Sequence, residues 1–193
     1  MAIMISIQPQ WVDKIINGEK IIEIRKTKPK CKLPCKVYIY CTKARHLALV
    51  VGGGNSSLFG CCNSETAFIC GGKLGNGKIV AEFTLNKVEE FEFELWDNKT
   101  YESVGKVYYD EDTGEREVDV FESDNEINGI KLLKDSCLTV SQLREYLGKG
   151  FSTCFAWYIE NLKVYNNPKD LDEFVCRKQL ERPPQSWCYV EEL

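Results

Sequence analysis

The chain has 193 residues, 44% hydrophobic and 28% charged, with 25 Lys and Arg against 29 Asp and Glu for a net charge of −4. That length and apolar content are enough to bury one sizeable core. No apolar run is long enough to cross a bilayer, and the N-terminus reads as a strand rather than a signal peptide, so the expectation is a cytoplasmic protein without a membrane partner.

Ile3, Ile5 and Ile7 alternate as a first strand. Pro9 suits a first helical turn, Trp11, Val12, Ile15 and Ile16 recur at helical spacing, and Gly18 ends the helix. Gly18 then turns the chain into a strand in which Glu23 and Arg25 project to one side and Ile22 and Ile24 to the other. The Gly-x-Lys-x-x-Glu-x-Arg pattern of Gly18, Lys20, Glu23 and Arg25 resembles the signature of the ASCH domains, relatives of the PUA domain. Residues 36–42 and 77–83 are similar to the family's next strands, and residues 155–162 and 183–189 to its late elements. The resemblance implies an α+β fold, a PUA/ASCH-like small β-barrel flanked by short helices. It implies a single domain over 1–193, with insertions at about 44–76 and 89–136.

A basic run, Arg25, Lys26, Lys28, Lys30, Lys32 and Lys36, follows the signature. Residues 1–45 hold ten Lys and Arg against three Asp and Glu, and such clusters attract phosphate backbones. The competing reading is a solvated Lys-rich loop.

Residues 44–76 contain Gly52, Gly53 and Gly54, then Gly71, Gly72 and Gly75, and read as a flap over the pocket mouth or a loop. Gly72, Gly77 and Lys78 approach a phosphate-binding loop, but no Ser or Thr follows Lys78 and Ile79 opens a strand instead of a helix, so that reading is rejected. The ten cysteines read mainly as reduced thiols, several of them packing as small hydrophobes. Cys61, Cys62 and Cys70 with His46, or Cys31 with Cys35, carry soft ligands, but the spacing matches no zinc knuckle; the expectation is no metal and no cofactor.

Residues 89–126 hold fifteen Asp and Glu against three Lys and Arg. Residues 104–109 and 116–121 read as two strands around an Asp- and Gly-rich turn, an acidic β-hairpin that either points away from nucleic acid or meets a basic protein partner. No regular calcium loop is present. Further on, Thr139 and Gln142 form a capping box before a helix faced by Val140, Leu143 and Leu147 and ended by Gly148. Trp157 and Tyr158 read as core before stacking platform, whereas Trp187, beside Gln185 and Ser186, is the better base-stacking candidate.

Three functions follow. One ASCH branch, amidohydrolases acting on acetylated cytidine, uses a Thr nucleophile, a Lys that activates it and a Glu that handles protons. By that resemblance the Lys is Lys20 and the Glu is Glu82, but Glu23 stands where Thr is expected. A carboxylate there removes the acyl route and leaves general-base hydrolysis of a modified nucleoside or RNA by Glu23 and Glu82, with Lys20 stabilising charge. The favoured reading is an RNA- or nucleotide-binding module in which Lys20, Arg25 and Lys26 meet phosphate. In it Glu23 accepts from a base, Thr42, Gln185 and Ser186 add polar contacts, and Trp187 stacks. The third reading makes Glu23 a structural ion-pair partner of Arg25 or Lys20, with the domain serving structure or protein interaction.

Overall fold

The opening isoleucines do form a strand; its central residues are buried on both faces, and strands pair along both of its edges. The computed structural model describes residues 1–43, 56–60, 66–70, 73–96, 101–120, 128–149, 152–176 and 178–193. Its elements in chain order begin with β1 (Ala2–Ile7), α1 (Pro9–Ile16), β2 (Ile22–Arg25), β3 (Cys35–Cys41), β4 (Ser56–Gly60), β5 (Thr66–Cys70), β6 (Lys73–Leu74) and β7 (Ile79–Leu85). There follow β8 (Val88–Trp96), β9 (Tyr101–Tyr109), β10 (Arg116–Asp119), α2 (Asn128–Ser136) and α3 (Val140–Leu147). The chain closes with β11 (Thr153–Tyr158), β12 (Glu160–Lys169), β13 (Phe174–Cys176), β14 (Lys178–Gln179) and β15 (Trp187–Glu192).

These elements form two compact units. The first comprises Met1–Glu19, Lys32–Asn86 and Ile159–Leu193. Its main sheet has the order β12-β7-β3-β1-β15-β13-β14, and β4, β5 and β6 make a smaller one. β1 runs parallel to β3 and antiparallel to β15. One face packs Met4, Tyr38, Tyr40, Ile79, Tyr165, Phe174 and Val190 together, with the Tyr38 and Phe174 rings edge to face at 4.8 Å. α1 starts at Pro9, whose missing N–H costs nothing at the first helical position. It ends where Gly18 takes φ +76°, a conformation other side chains rarely adopt.

The second unit comprises Lys20–Cys31 and Lys87–Tyr158. Its sheet has the order β10-β9-β8-β11-β2. Ile22 and Ile24 point into a core with Phe91, Val104, Leu132, Leu143, Leu147, Cys154 and Ala156, supplied by the sheet together with α2 and α3. Burying each large apolar side chain here contributes roughly 1.5–3 kcal/mol. α2 lies directly on β9: a Cβ at Gly129 would stand 2.5 Å from the Val104 carbonyl oxygen. The expected capping box opens α3, with the Thr139 side chain accepting from the Gln142 N–H.

The architecture is α+β, and among the described residues each sheet is open in strand order rather than closed into a barrel. The acidic strands fall as expected: β9 and β10 pair from Tyr109–Arg116 to Lys106–Asp119, around a turn in which Asp110 accepts from the N–H groups of Asp112 and Thr113. This hairpin continues through β8 into β11 and β2, so the acidic segment supplies three of the sheet's five strands. Residues 155–162 cross from one sheet to the other at Ile159. Part of the Gly-rich segment read as loop or flap is an antiparallel pair, β4 with β5, because Thr66, Phe68 and Ile69 favour a pleated strand. Gly52–Gly54, His46, Cys61, Cys62, Gly71 and Gly72 lie outside the described residues. Among the described residues, no helix is long and apolar enough to cross a membrane, and no cluster of three or more His, Cys, Asp or Glu is arranged to hold a metal.

Candidate functional site

In β2 the period of two sends Glu23 and Arg25 to the face opposite the apolar core. Trp157 and Phe155 of β11 stand in register beside Glu23 and Arg25. Glu23 Oε1 accepts from Arg25 Nη2 at 3.0 Å, and Glu23 Oε2 lies 3.2 Å from Lys20 Nζ. Lys20 Nζ also donates to the Ser136 carbonyl oxygen at 2.7 Å. That carbonyl closes α2, where unsatisfied carbonyls and the helix dipole favour a cation. The three side chains are buried, with exposures of 2% for Lys20, 6% for Arg25 and 10% for Glu23. The signature residues therefore form one desolvated ion-paired triad whose carboxylate has a cation at each oxygen.

Tyr146 of α3 belongs to this neighbourhood. Burial pushes its hydroxyl above the ordinary range, with Arg25 opposing and Glu23 adding to the effect. Lys26, next along the chain, sits over the Tyr146 ring at 5.5 Å, and Lys28 over Phe155 at 5.7 Å. Lys28, Lys30, Lys32 and Lys36 are exposed.

Glu82 belongs to the first unit, on β7, where it faces Tyr38 of β3 and Lys163 of β12. Its Oε2 accepts from the Tyr165 hydroxyl and lies 3.3 Å from Lys36 Nζ, while Oε1 lies 3.8 Å from Lys163 Nζ. Burial works to raise the Glu82 carboxyl, but Tyr165, Lys36 and Lys163 outweigh it and hold it below the ordinary range. Tyr165 is pushed well above its own range, first by burial and then by donating to Glu82. Glu82 lines a cavity of about 190 Å³ with Pro34, Cys35, Lys36, Phe83, Thr84 and Asn161. Asn161 sits there with φ +49°, beside a register shift in the β12 pairing.

The remaining expected ligand residues gather at one end of the first unit's main sheet. The Thr42 N–H donates to the Ile7 carbonyl at 2.9 Å, and the adjacent Ser6 N–H donates to the Ser186 carbonyl at 2.9 Å. Consecutive residues of β1 thus place Thr42 on one side and Ser186 on the other, with Trp187 paired to Ile5. Gln185 is exposed and Trp187 half-buried, its ring edge to face with Tyr189 at 5.4 Å. Trp157, by contrast, is fully buried.

Sequence reasoning did not reach Tyr165, Lys163, Tyr146 or the Ser136 carbonyl. Lys163 and Tyr165 carried a weak signal, being two apart in a strand and so on one face; nothing local marks Tyr146 or Ser136, which arrive through helix packing.

The crystal structure of the ASCH protein from Zymomonas mobilis superposes with a TM-score of 0.52 at 16% identity, covering 98% of this chain and 87% of that one. Crystal structures of two single variants of that protein, one Tyr to Phe and one Ser to Ala, give 0.52 at 15% and 14% identity, covering 98% of this chain and 90% and 88% of theirs. No family model and no curated protein matches the sequence. The chain has an ASCH-like fold.

Proposed function

We propose that this protein is a non-catalytic RNA- or nucleotide-binding module, in which the Lys20–Glu23–Arg25 triad is a buried brace and the basic run beside it meets phosphate. The observation that carries this reading is the pairing of Glu23: each oxygen faces a cation and nine-tenths of the side chain is buried, so water and a ligand hydroxyl have little access to it. Within the second unit Lys28 and Lys30 are exposed, and the rings of Phe155 and Tyr146 lie under Lys28 and Lys26, the mixture of cation and aromatic face that single strands use. Thr42, Gln185, Ser186 and Trp187 supply polar and stacking contacts at the end of β1. The acidic β9–β10 turn serves a basic protein partner or keeps nucleic acid to the other surface.

Hydrolysis of a modified nucleoside or RNA is the second reading, favoured by the cavity that Glu82 shares with Lys36. Against it stands the depressed Glu82 carboxyl, since a general base works best with a pKa near the operating pH.

Fluorescence anisotropy with a labelled short single-stranded RNA, across a salt series and with each mixture run on a gel, tests the proposal. The binding reading expects affinity that falls with salt and an intact RNA. Affinity indifferent to salt, or cleavage abolished by Glu82→Gln, overturns it.

A further inference from the structure

Cys176 ends β13, and Cys188 is the second residue of the neighbouring β15. The antiparallel register Phe174–Glu192 and Val175–Glu191 carries Cys176 to the level of Val190, on the sheet face it shares with Cys188. Both side chains pack against the cluster formed by Met4, Tyr38, Phe174 and Val190. Burial pushes the Cys188 thiol up to about 11, and the neighbouring Cys176 adds to the shift. Both thiols are reduced and partly exposed. Cys41 and Cys154 are buried, and burial pushes the Cys154 thiol up to about 12, which leaves it inert.

We propose that Cys176 and Cys188 are an oxidisable dithiol that a peroxide closes to a disulfide. Burial holds Cys188 protonated, which makes Cys176 the sulfur oxidised first and Cys188 the resolving partner. The Cys176 thiolate attacks one oxygen of hydrogen peroxide, breaking the O–O bond to give a sulfenic acid and a hydroxide that takes up the Cys176 proton. The Cys188 sulfur then attacks the sulfenic sulfur. The S–S bond forms as the S–O bond breaks, and the departing hydroxyl leaves with the Cys188 proton as water. Two thiols lose two hydrogens and two electrons, and one peroxide becomes two waters. The bridge ties the short β13 to β15, the strand that carries Trp187, and because a strand diagonal spans more than a relaxed disulfide, closing it draws the three-residue β13 toward β15.

The test treats the native protein with one equivalent of hydrogen peroxide, alkylates the remaining thiols and maps the peptides by mass. The expected result is a 176–188 linked peptide, two hydrogens lighter than its reduced parts and restored by dithiothreitol, as the earliest oxidation product. With Cys188→Ser, the same dose should leave a sulfenic acid on Cys176 that a cyclic 1,3-dione traps. Alkylation of Cys176 and Cys188 at the same rate as Cys31 and Cys35 after treatment overturns the proposal, and so does oxidation that begins elsewhere. Should the Ser variant misfold, the wild-type peptide map alone decides.

Discussion

Replacing Glu23 by Gln probes the triad most directly. The substitution keeps the shape of the side chain and removes the charge that holds Lys20 and Arg25 in a desolvated environment. Lys20 retains the Ser136 carbonyl, but no charge then offsets the burial of the two cations. Removing one partner of a buried ion pair costs about 3–5 kcal/mol, a large share of a domain stability of roughly 5–15 kcal/mol. For a chain of this size 1 kcal/mol shifts the melting temperature by about 2–4 °C, so the loss is roughly 6–20 °C. Differential scanning calorimetry measures the shift, and urea unfolding checks it at constant temperature. The triple replacement Lys20→Met, Glu23→Leu, Arg25→Met removes every charge together and should recover most of that loss, since apolar isosteres of a buried ion network are often neutral or stabilising. A Glu23→Gln protein within about 0.5 kcal/mol of wild type, the range of ordinary surface substitutions, refutes the brace and returns Glu23 to the ligand.

Four other outcomes are expected. Converting Lys28, Lys30, Lys32 and Lys36 to Ala should flatten the dependence of log affinity on log salt by about 0.7 for each phosphate no longer neutralised, measured by anisotropy; an unchanged slope would place the nucleic acid elsewhere. Burial acts to raise the Glu89 carboxyl, but hydrogen bonds from Lys106, Lys87 and Tyr158 hold it below its ordinary 4.5. Its folded pKa being the lower one, Glu89 stabilises above the unfolded value, and that contribution is lost as pH falls through the folded value; melting curves of Glu89→Gln should therefore fall less steeply below about pH 5 than wild type. Thr139→Ala, which removes the capping box of α3, should cost about 1 kcal/mol by chemical denaturation. Gly129→Ala pushes a methyl to 2.5 Å from the Val104 carbonyl and should cost about 1–3 kcal/mol; a neutral result would mean that α2 does not sit tightly on β9.

Much of the fold was legible because it is written in short-range periodicity. The β1 alternation, Pro9 and Gly18 around α1, the two faces of β2 and the Thr139 box each need only a few neighbouring residues, and each appears where the sequence places it. α2 escaped notice because its role comes from Leu132 and from a glycine that admits close backbone approach, neither of which announces a helix locally. β4 and β5 were hidden by the glycines around them, whose turn signals outweighed the short strand-favouring run between.

The candidate site divides in the same way. Sequence by itself determined that Glu23 and Arg25 share a face and that a basic run follows them, since side-chain period and composition are local properties. Tertiary structure decided how those charges are spent. It brought the α2 terminus to Lys20, giving Glu23 a cation at each oxygen in a buried setting, and it set Tyr165 and Lys36 on Glu82. Whether a charged residue is a reagent or a brace depends on its desolvation and its partners, and both come from residues distant in the chain.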